Sequence, residues 1–217
     1  MVRHIVWDWN GTLLDDTPAT VRAAMAGLNA IGHPVDLTVE SWREIATRPL
    51  HDIYERLVGS PLNLDQWKIV EDVWLETYVS SLSTVSLNPT ALPALDEAAS
   101  RGITSSIVSL HLETELRAHV EALGIADRFT HIRGSQDMGA GIRPSKADEV
   151  DGQLADLGIR PDEAAMIGDM ADDGREGVEA GVHVVLVPTG DTSKRRLVAS
   201  GFPVADSLLD AVRVVLG

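Results

Sequence analysis

Asp8-Trp9-Asn10-Gly11-Thr12 follows a short apolar run, Ser109 closes a second, and Gly168-Asp169, with Asp172 and Asp173 just behind, closes a third. Lys146 stands at the start of the helical pattern that precedes the third run. A carboxylate such as Asp8 can attack an electrophilic phosphorus and carry it as a mixed anhydride. Asp169 can help hold Mg²⁺, which takes one or two carboxylates together with water and phosphate oxygens. Ser109 and Lys146 can neutralise the equatorial oxygens of a transferring phosphoryl group, and the lysine also tempers repulsion among the acids. Gly11 allows the sharp turn that aims backbone N–H groups at an anion.

These residues need elements that bring them to one place. Residues 4–7, 103–108, 164–167 and 182–187 are continuous apolar runs, the signature of buried parallel strands. Helical patterns at 112–123, 146–157 and 173–180 end at Gly124, Gly158 and Gly181, good C-terminal caps. Strands alternating with such helices predict an α/β fold, a doubly wound (Rossmann-like) parallel sheet whose ligands bind beyond the carboxyl ends of the strands. Residues 17–85 break the alternation with helical patterns at 18–30, 38–46, 50–58 and 64–80, and prolines 18, 34, 49 and 61 fall at or near their starts. The expected organisation is a core of residues 1–16 and 86–217 carrying an inserted all-helical cap, 17–85.

Composition narrows the function. The chain has 217 residues, 44% hydrophobic and 24% charged, which suits a folded domain rather than a disordered one. The lack of cysteine excludes disulfide scaffolds, zinc thiolate sites and thiol nucleophiles. A net charge of -15 argues against nucleic acid as a partner. No leader pattern or membrane-length apolar run is present, so a cytoplasmic location and no membrane association are expected. Oligomeric state is not readable.

The constellation resembles the haloacid dehalogenase superfamily, whose four motifs appear in order. Asp8 to Thr12 matches the first, with Leu13-Leu14-Asp15 following; Ile107-Val108-Ser109 matches the second. Lys146 matches the basic third motif, with Arg143 as a competitor, and Gly168-Asp169 with Asp172 and Asp173 matches the fourth. The resemblance implies a Mg²⁺-dependent phosphatase, a phosphoric monoester hydrolase acting on a small phosphorylated metabolite through an aspartyl-phosphate on Asp8. Its metal ligands would be Asp8, Asp169, Asp173 and the backbone carbonyl of Asn10. The insertion resembles the C1 cap of phosphoglycolate-phosphatase-like members, which face the nucleophile with a loop at the position of Thr47 to His51. Arg48 there could clamp a substrate carboxylate or second phosphate. Gly11, Thr12 and His111 complete the expected substrate contacts.

One residue departs from the pattern. In the family's phosphatases the residue two after the nucleophile is an aspartic acid that protonates the leaving group. Here it is Asn10, whose amide is neither acid nor base. General acid–base catalysis is worth about 10²–10⁴-fold. Three expectations arise: a preference for good leaving groups such as acyl or aryl phosphates and diphosphates, a durable phospho-Asp8 that passes its group to another acceptor, or a replacement acid, for which Asp15 and His111 are candidates. A ligand-binding or regulatory protein with weak catalysis is the alternative from another class. A carbon–halogen hydrolase needs no metal and leaves Asp169 and Asp173 without a purpose.

Overall fold

The computed structural model describes residues 1–136 and 145–217. Strand β1 (His4–Trp7) runs down the middle of a five-stranded parallel sheet, ordered β3-β2-β1-β4-β5 among the described residues. Its neighbours are β2 (Thr104–Leu112) and β4 (Ala164–Gly168), with β3 (His131–Ser135) and β5 (His183–Leu186) at the edges. The register sets Trp7 beside Ile107 on one side and Ile167 on the other, so β1 and β4 finish within one residue of each other while β2 runs on.

Alternation along β1 explains the two apolar layers. Ile5 and Trp7 point into a cluster with α5 (Ala91–Ser100), α6 (Glu113–Ala122) and α10 (Leu208–Leu216). Val6 points the other way, into a cluster with Val150 and Leu154 of α7 (Ala147–Leu157) and Met166. Helices on both faces are what a parallel sheet with continuous apolar strands demands. Helices α8 (Ala171–Glu179) and α9 (Lys194–Ala199) flank the β4–β5 side. His4 is fully buried, and its two ring nitrogens lie 2.7 Å from Thr104 Oγ1 and 2.7 Å from Ser106 Oγ.

Between β1 and β2 the chain forms α1 (Thr17–Ala30), α2 (Val39–Ile45), α3 (Leu50–Val58) and α4 (Leu64–Ser81). Thr38 and Asn63 cap α2 and α4 by reciprocal hydrogen bonds with Ser41 and Gln66. The four helices share an apolar cluster around Trp42, Ile53, Trp67 and Val70, which Met170 of the sheet side joins. Gly27 lets α1 approach α4 closely, since a Cβ there would lie 3.0 Å from the Val70 carbonyl oxygen. The ends of this segment run side by side: Asp15 N–H donates to Ser86 O at 2.9 Å and Asn88 N–H to Leu13 O at 2.8 Å. Arg43 fastens α2 to the loop after β5, donating to Gly190 O at 2.7 Å and Thr189 O at 3.2 Å.

The structure adds one strand to the four expected and moves one end. β3 escapes the apolar-run criterion because His131, Arg133 and Ser135 alternate with Ile132 and Gly134. β2 runs past Ser109 to Leu112, with an irregular register between Val108 and Leu112, so Ser109 sits within a distorted strand rather than at its close. No helix among the described residues is long and apolar enough to cross a membrane.

Candidate active site

β1 delivers Asp8 to the carboxyl edge of the sheet, where its N–H donates to Ile167 O at 2.9 Å. The chain then turns back on itself through Gly11, which has φ +72°. A Cβ at Gly11 would lie 2.7 Å from Asp169 Oδ2 and 2.9 Å from Gly190 Cα, so both backbone conformation and space require glycine. Thr12 Oγ1 lies between the acids, 3.0 Å from Asp8 Oδ2 and 3.1 Å from Asp169 Oδ1.

Lys146 is completely buried beneath this edge. Its ammonium is 2.5 Å from Asp8 Oδ1, 2.8 Å from Asp173 Oδ1 and 3.9 Å from Glu176. Burial alone would discharge it, but Asp173 and Asp8 hold its pKa above the ordinary lysine value. Burial would also raise Asp173, yet Lys146 and Arg48 keep that carboxyl below its usual range. Asp8 is raised by burial, with Lys146 opposing the shift. Arg48 reaches in from the loop before α3, placing Nη1 3.3 Å from Asp173 and 3.2 Å from Glu176. One terminal nitrogen of the guanidinium thus meets the chain's own acids, and Arg48 also lines the cavity over the site.

Oxygens of Asp8, Asp169 and Asp173 lie within 4.8 Å of one another. Asp169 accepts the Asp191 N–H at 2.5 Å, and burial followed by Asp8, Asp173 and Asp191 pushes its carboxyl well above the usual range. Three hard oxygen donors with more negative charge than Lys146 balances fit a divalent cation. Asp172, the other acid of the fourth motif, instead accepts from Arg175 at 2.7 Å.

Asn10 lies at the end of a buried network. Its Nδ2 donates to Asp16 Oδ2 at 2.7 Å and to Tyr78 Oη at 2.8 Å. Tyr78 donates to the same Asp16 oxygen at 2.6 Å, and Gly11 N–H donates to Asp16 Oδ1 at 2.6 Å. The Asn10 amide oxygen is thus turned towards Ser109 Oγ, 3.4 Å away. Burial raises the Asp16 carboxyl, while its hydrogen bonds from Tyr78, Asn10 and Gly11 hold it down. Asp15, expected as a replacement acid, is exposed; the buried acid beside Asn10 is its neighbour Asp16. Asp16 occupies the N-cap position of α1, yet its side chain makes no capping bond and points back to the turn. Tyr78 and Asp191 carry no signal in the sequence that would assign them to the site. Glu176 carries one, its place one helical turn beyond Asp173.

A cavity of about 530 Å³ opens over the site, lined by Asp8, Asn10, Arg48, Ser109, His111 and Asp191 among others. Lys146, Asp169 and Asp173 lie below it. His111 N–H donates to Ser109 Oγ at 3.1 Å. Burial, and then His119, lowers the His111 pKa to about 4, which favours the neutral ring at pH 7. Arg143, the competitor for the third motif, lies outside the described residues.

A central strand ending in a carboxylate, a lysine paired to it and a carboxylate cluster around the next strand's end form a charged site at the carboxyl edge of an α/β sheet. Residues 5–187 match the family model described as haloacid dehalogenase-like hydrolase, and the chain belongs to that family. It is 34% identical over 109 residues to a phosphoglycolate phosphatase of Rhodospirillum rubrum, spanning 50% of this chain and 44% of that protein. It is 26% identical over 196 residues to the tyrosine-protein kinase PtkA of Mycobacterium tuberculosis, covering 86% of this chain and 62% of the relative. The chain thus spans about half to two-thirds of the length of these relatives. The crystal structure of a predicted phosphatase from Clostridium acetobutylicum superimposes with a TM-score of 0.85 at 17% identity, over 100% of this chain and 99% of that one, a likeness of fold.

Proposed function

We propose that the protein is a Mg²⁺-dependent phosphatase acting on a small phosphorylated metabolite, with Asp8 as the nucleophile. The observation that carries this reading is the Asp8 carboxylate, held between Lys146 at 2.5 Å and Thr12 at 3.0 Å at the rim of the cavity. Asp8 Oδ attacks phosphorus in line with the leaving oxygen, and the Lys146 charge and Ser109 hydroxyl meet the equatorial oxygens. Mg²⁺, held by Asp8, Asp169, Asp173 and the Asn10 carbonyl, would supply further charge to those oxygens. Helices α1–α4 act as a cap that excludes water and selects the substrate.

Asn10 sets the fate of both the leaving group and the phosphoenzyme. With its Nδ2 committed to Asp16 and Tyr78, it offers the site no proton. The leaving group departs unaided, and phospho-Asp8 is hydrolysed slowly enough for another acceptor to compete. Likeness to a protein named as a tyrosine kinase supports such transfer as a side reaction beside hydrolysis. The test is phosphate release from a panel of phosphate monoesters with and without Mg²⁺, for the wild type and Asp8→Asn, together with rapid-quench trapping of phosphoenzyme. Release that needs Mg²⁺ and Asp8 supports the reading; turnover that survives in Asp8→Asn overturns it.

A further inference from the structure

The cavity gives far more room than a phosphoryl group needs, and part of its lining is aromatic. Tyr54 of α3 and Trp67, Trp74 and Tyr78 of α4 line it. Trp74 and Tyr78 stack with centroids 4.8 Å apart and planes 10° from parallel, and Tyr54 meets Trp67 edge-on at 5.6 Å. Such faces take a flat apolar ring.

The charges around the cavity reject a second anion. Among the described lining residues the cations are Arg48 and Lys68. Arg48 is bound to Asp173 and Glu176, and Lys68 pairs with Asp72 at 3.3 Å with its side chain 76% exposed. Glu71, Asp72 and Glu115 stand on the same lining. A carboxylate or second phosphate on the substrate meets these acids, and both lining cations already face acids of the chain.

A separate observation concerns the bond that breaks. Asn10 cannot protonate a leaving oxygen, so the leaving group must be a stable anion. A phenol, with pKa about 10, leaves far more readily than an alcohol. We propose that the substrate is the phosphate monoester of a phenol bearing no further anionic group. This inference rests on the phosphoryl-transfer reading of Asp8.

In the first step the Asp8 carboxylate forms a bond to phosphorus and the aryl oxygen–phosphorus bond breaks. The aryloxide leaves with the electron pair and takes a proton from water afterwards. In the second, water attacks the phosphorus of phospho-Asp8, the anhydride bond breaks, the carboxylate is regenerated and both water protons leave with the phosphate.

The experiment compares kcat/KM in Mg²⁺ for phenyl phosphate, benzyl phosphate, 3-carboxyphenyl phosphate, 2-aminoethyl phosphate and acetyl phosphate. Phenyl phosphate is expected to exceed benzyl and aminoethyl phosphates by about 10²-fold or more, the scale of a missing general acid. The carboxylate of the third compound is expected to lower kcat/KM by about tenfold, the order of one unfavourable charge contact. Trp74→Leu, which keeps an apolar side chain, is expected to lower the phenyl-to-acetyl ratio by about tenfold. Benzyl or aminoethyl phosphate matching phenyl phosphate overturns the proposal. Acetyl phosphate turned over while phenyl phosphate is not also overturns it and leaves the Asp8 reading standing. No turnover of any compound and no phosphoenzyme removes both.

Discussion

The carboxylate of Asp16 accepts the amide N–H of Asn10 at 2.7 Å, placing the acid that the turn lacks at Asn10 one side chain deeper. An acid and an amide have in effect traded depth. Exchanging them in Asn10→Asp/Asp16→Asn keeps the hydrogen bond and brings a titratable carboxyl to the cavity. Turnover of an alkyl phosphate by the double variant is expected to rise by about 10²-fold, the low end of what a general acid supplies. A rate no higher than the wild type's would show that proton donation is not limiting.

Asp169 is the acid whose ionisation the cluster opposes most. Mg²⁺ at about 100 times its Kd stabilises a protein by about 2.7 kcal/mol, or roughly 5–10 °C in Tm for a chain of this size. Asp169→Asn is expected to lose that response, and in EDTA its Tm should equal or exceed the wild type's because a repelled anion is gone. Thermal melts with Mg²⁺ and with EDTA read both quantities; an undiminished Mg²⁺ response in the variant would place the metal elsewhere.

Lys146 is the buried counter-charge of Asp8 and Asp173. Lys146→Met strands both carboxylates and is expected to lower stability by about 3–5 kcal/mol in urea unfolding. Lys146→Met/Asp173→Asn should lose less than the single variant, because one stranded anion is removed with its partner. Additive losses would count against direct coupling.

His4 gives a pH signature remote from the site. Burial, then Arg3, lowers its pKa to about 4 from the ordinary 6.5. A base with a depressed folded pKa contributes stability that is present above pH 6.5 and lost as pH falls through about 4, because the unfolded chain binds the proton first. Its contribution is about 2–3 kcal/mol. The difference in unfolding free energy between wild type and His4→Gln should therefore shrink by that amount between pH 7 and pH 4. A difference that stays constant over this range refutes the neutral buried imidazole.

Residues whose roles come from element ends are the ones legible in the sequence. Asp8, Asp169, Asp173 and Lys146 each stand where a strand or helix begins or stops, so pattern and turn chemistry alone bring them to one edge. Strand β3 stays hidden because its polar alternation has no apolar run to announce it, while α10 has a readable signal in Ser207 and the spacing of Leu208, Ala211 and Val212. Asp16 cannot be read as a site residue: its burial depends on Tyr78, 62 positions away, and it occupies the N-cap position of α1. Arg48 is legible as a neighbour of the site, but its engagement with Asp173 and Glu176 depends on how the α2–α3 loop packs against α8.

The helical segment leaves and re-enters the sheet through two stretches bonded to each other, Leu13 to Asp15 against Ser86 to Asn88, with Leu14 bridged antiparallel to Leu87. Its two attachment points are therefore neighbours, and the rest of the fold meets it as it would meet a short hairpin. A helical segment of different length or sequence can be spliced at that joint without altering the distance the chain must span. Exchange of the segment would still reach the reactive edge, because Arg48 meets Asp173 and Glu176 and Tyr78 meets Asn10 and Asp16, so the joint frees its length while those contacts tie its sequence to the site.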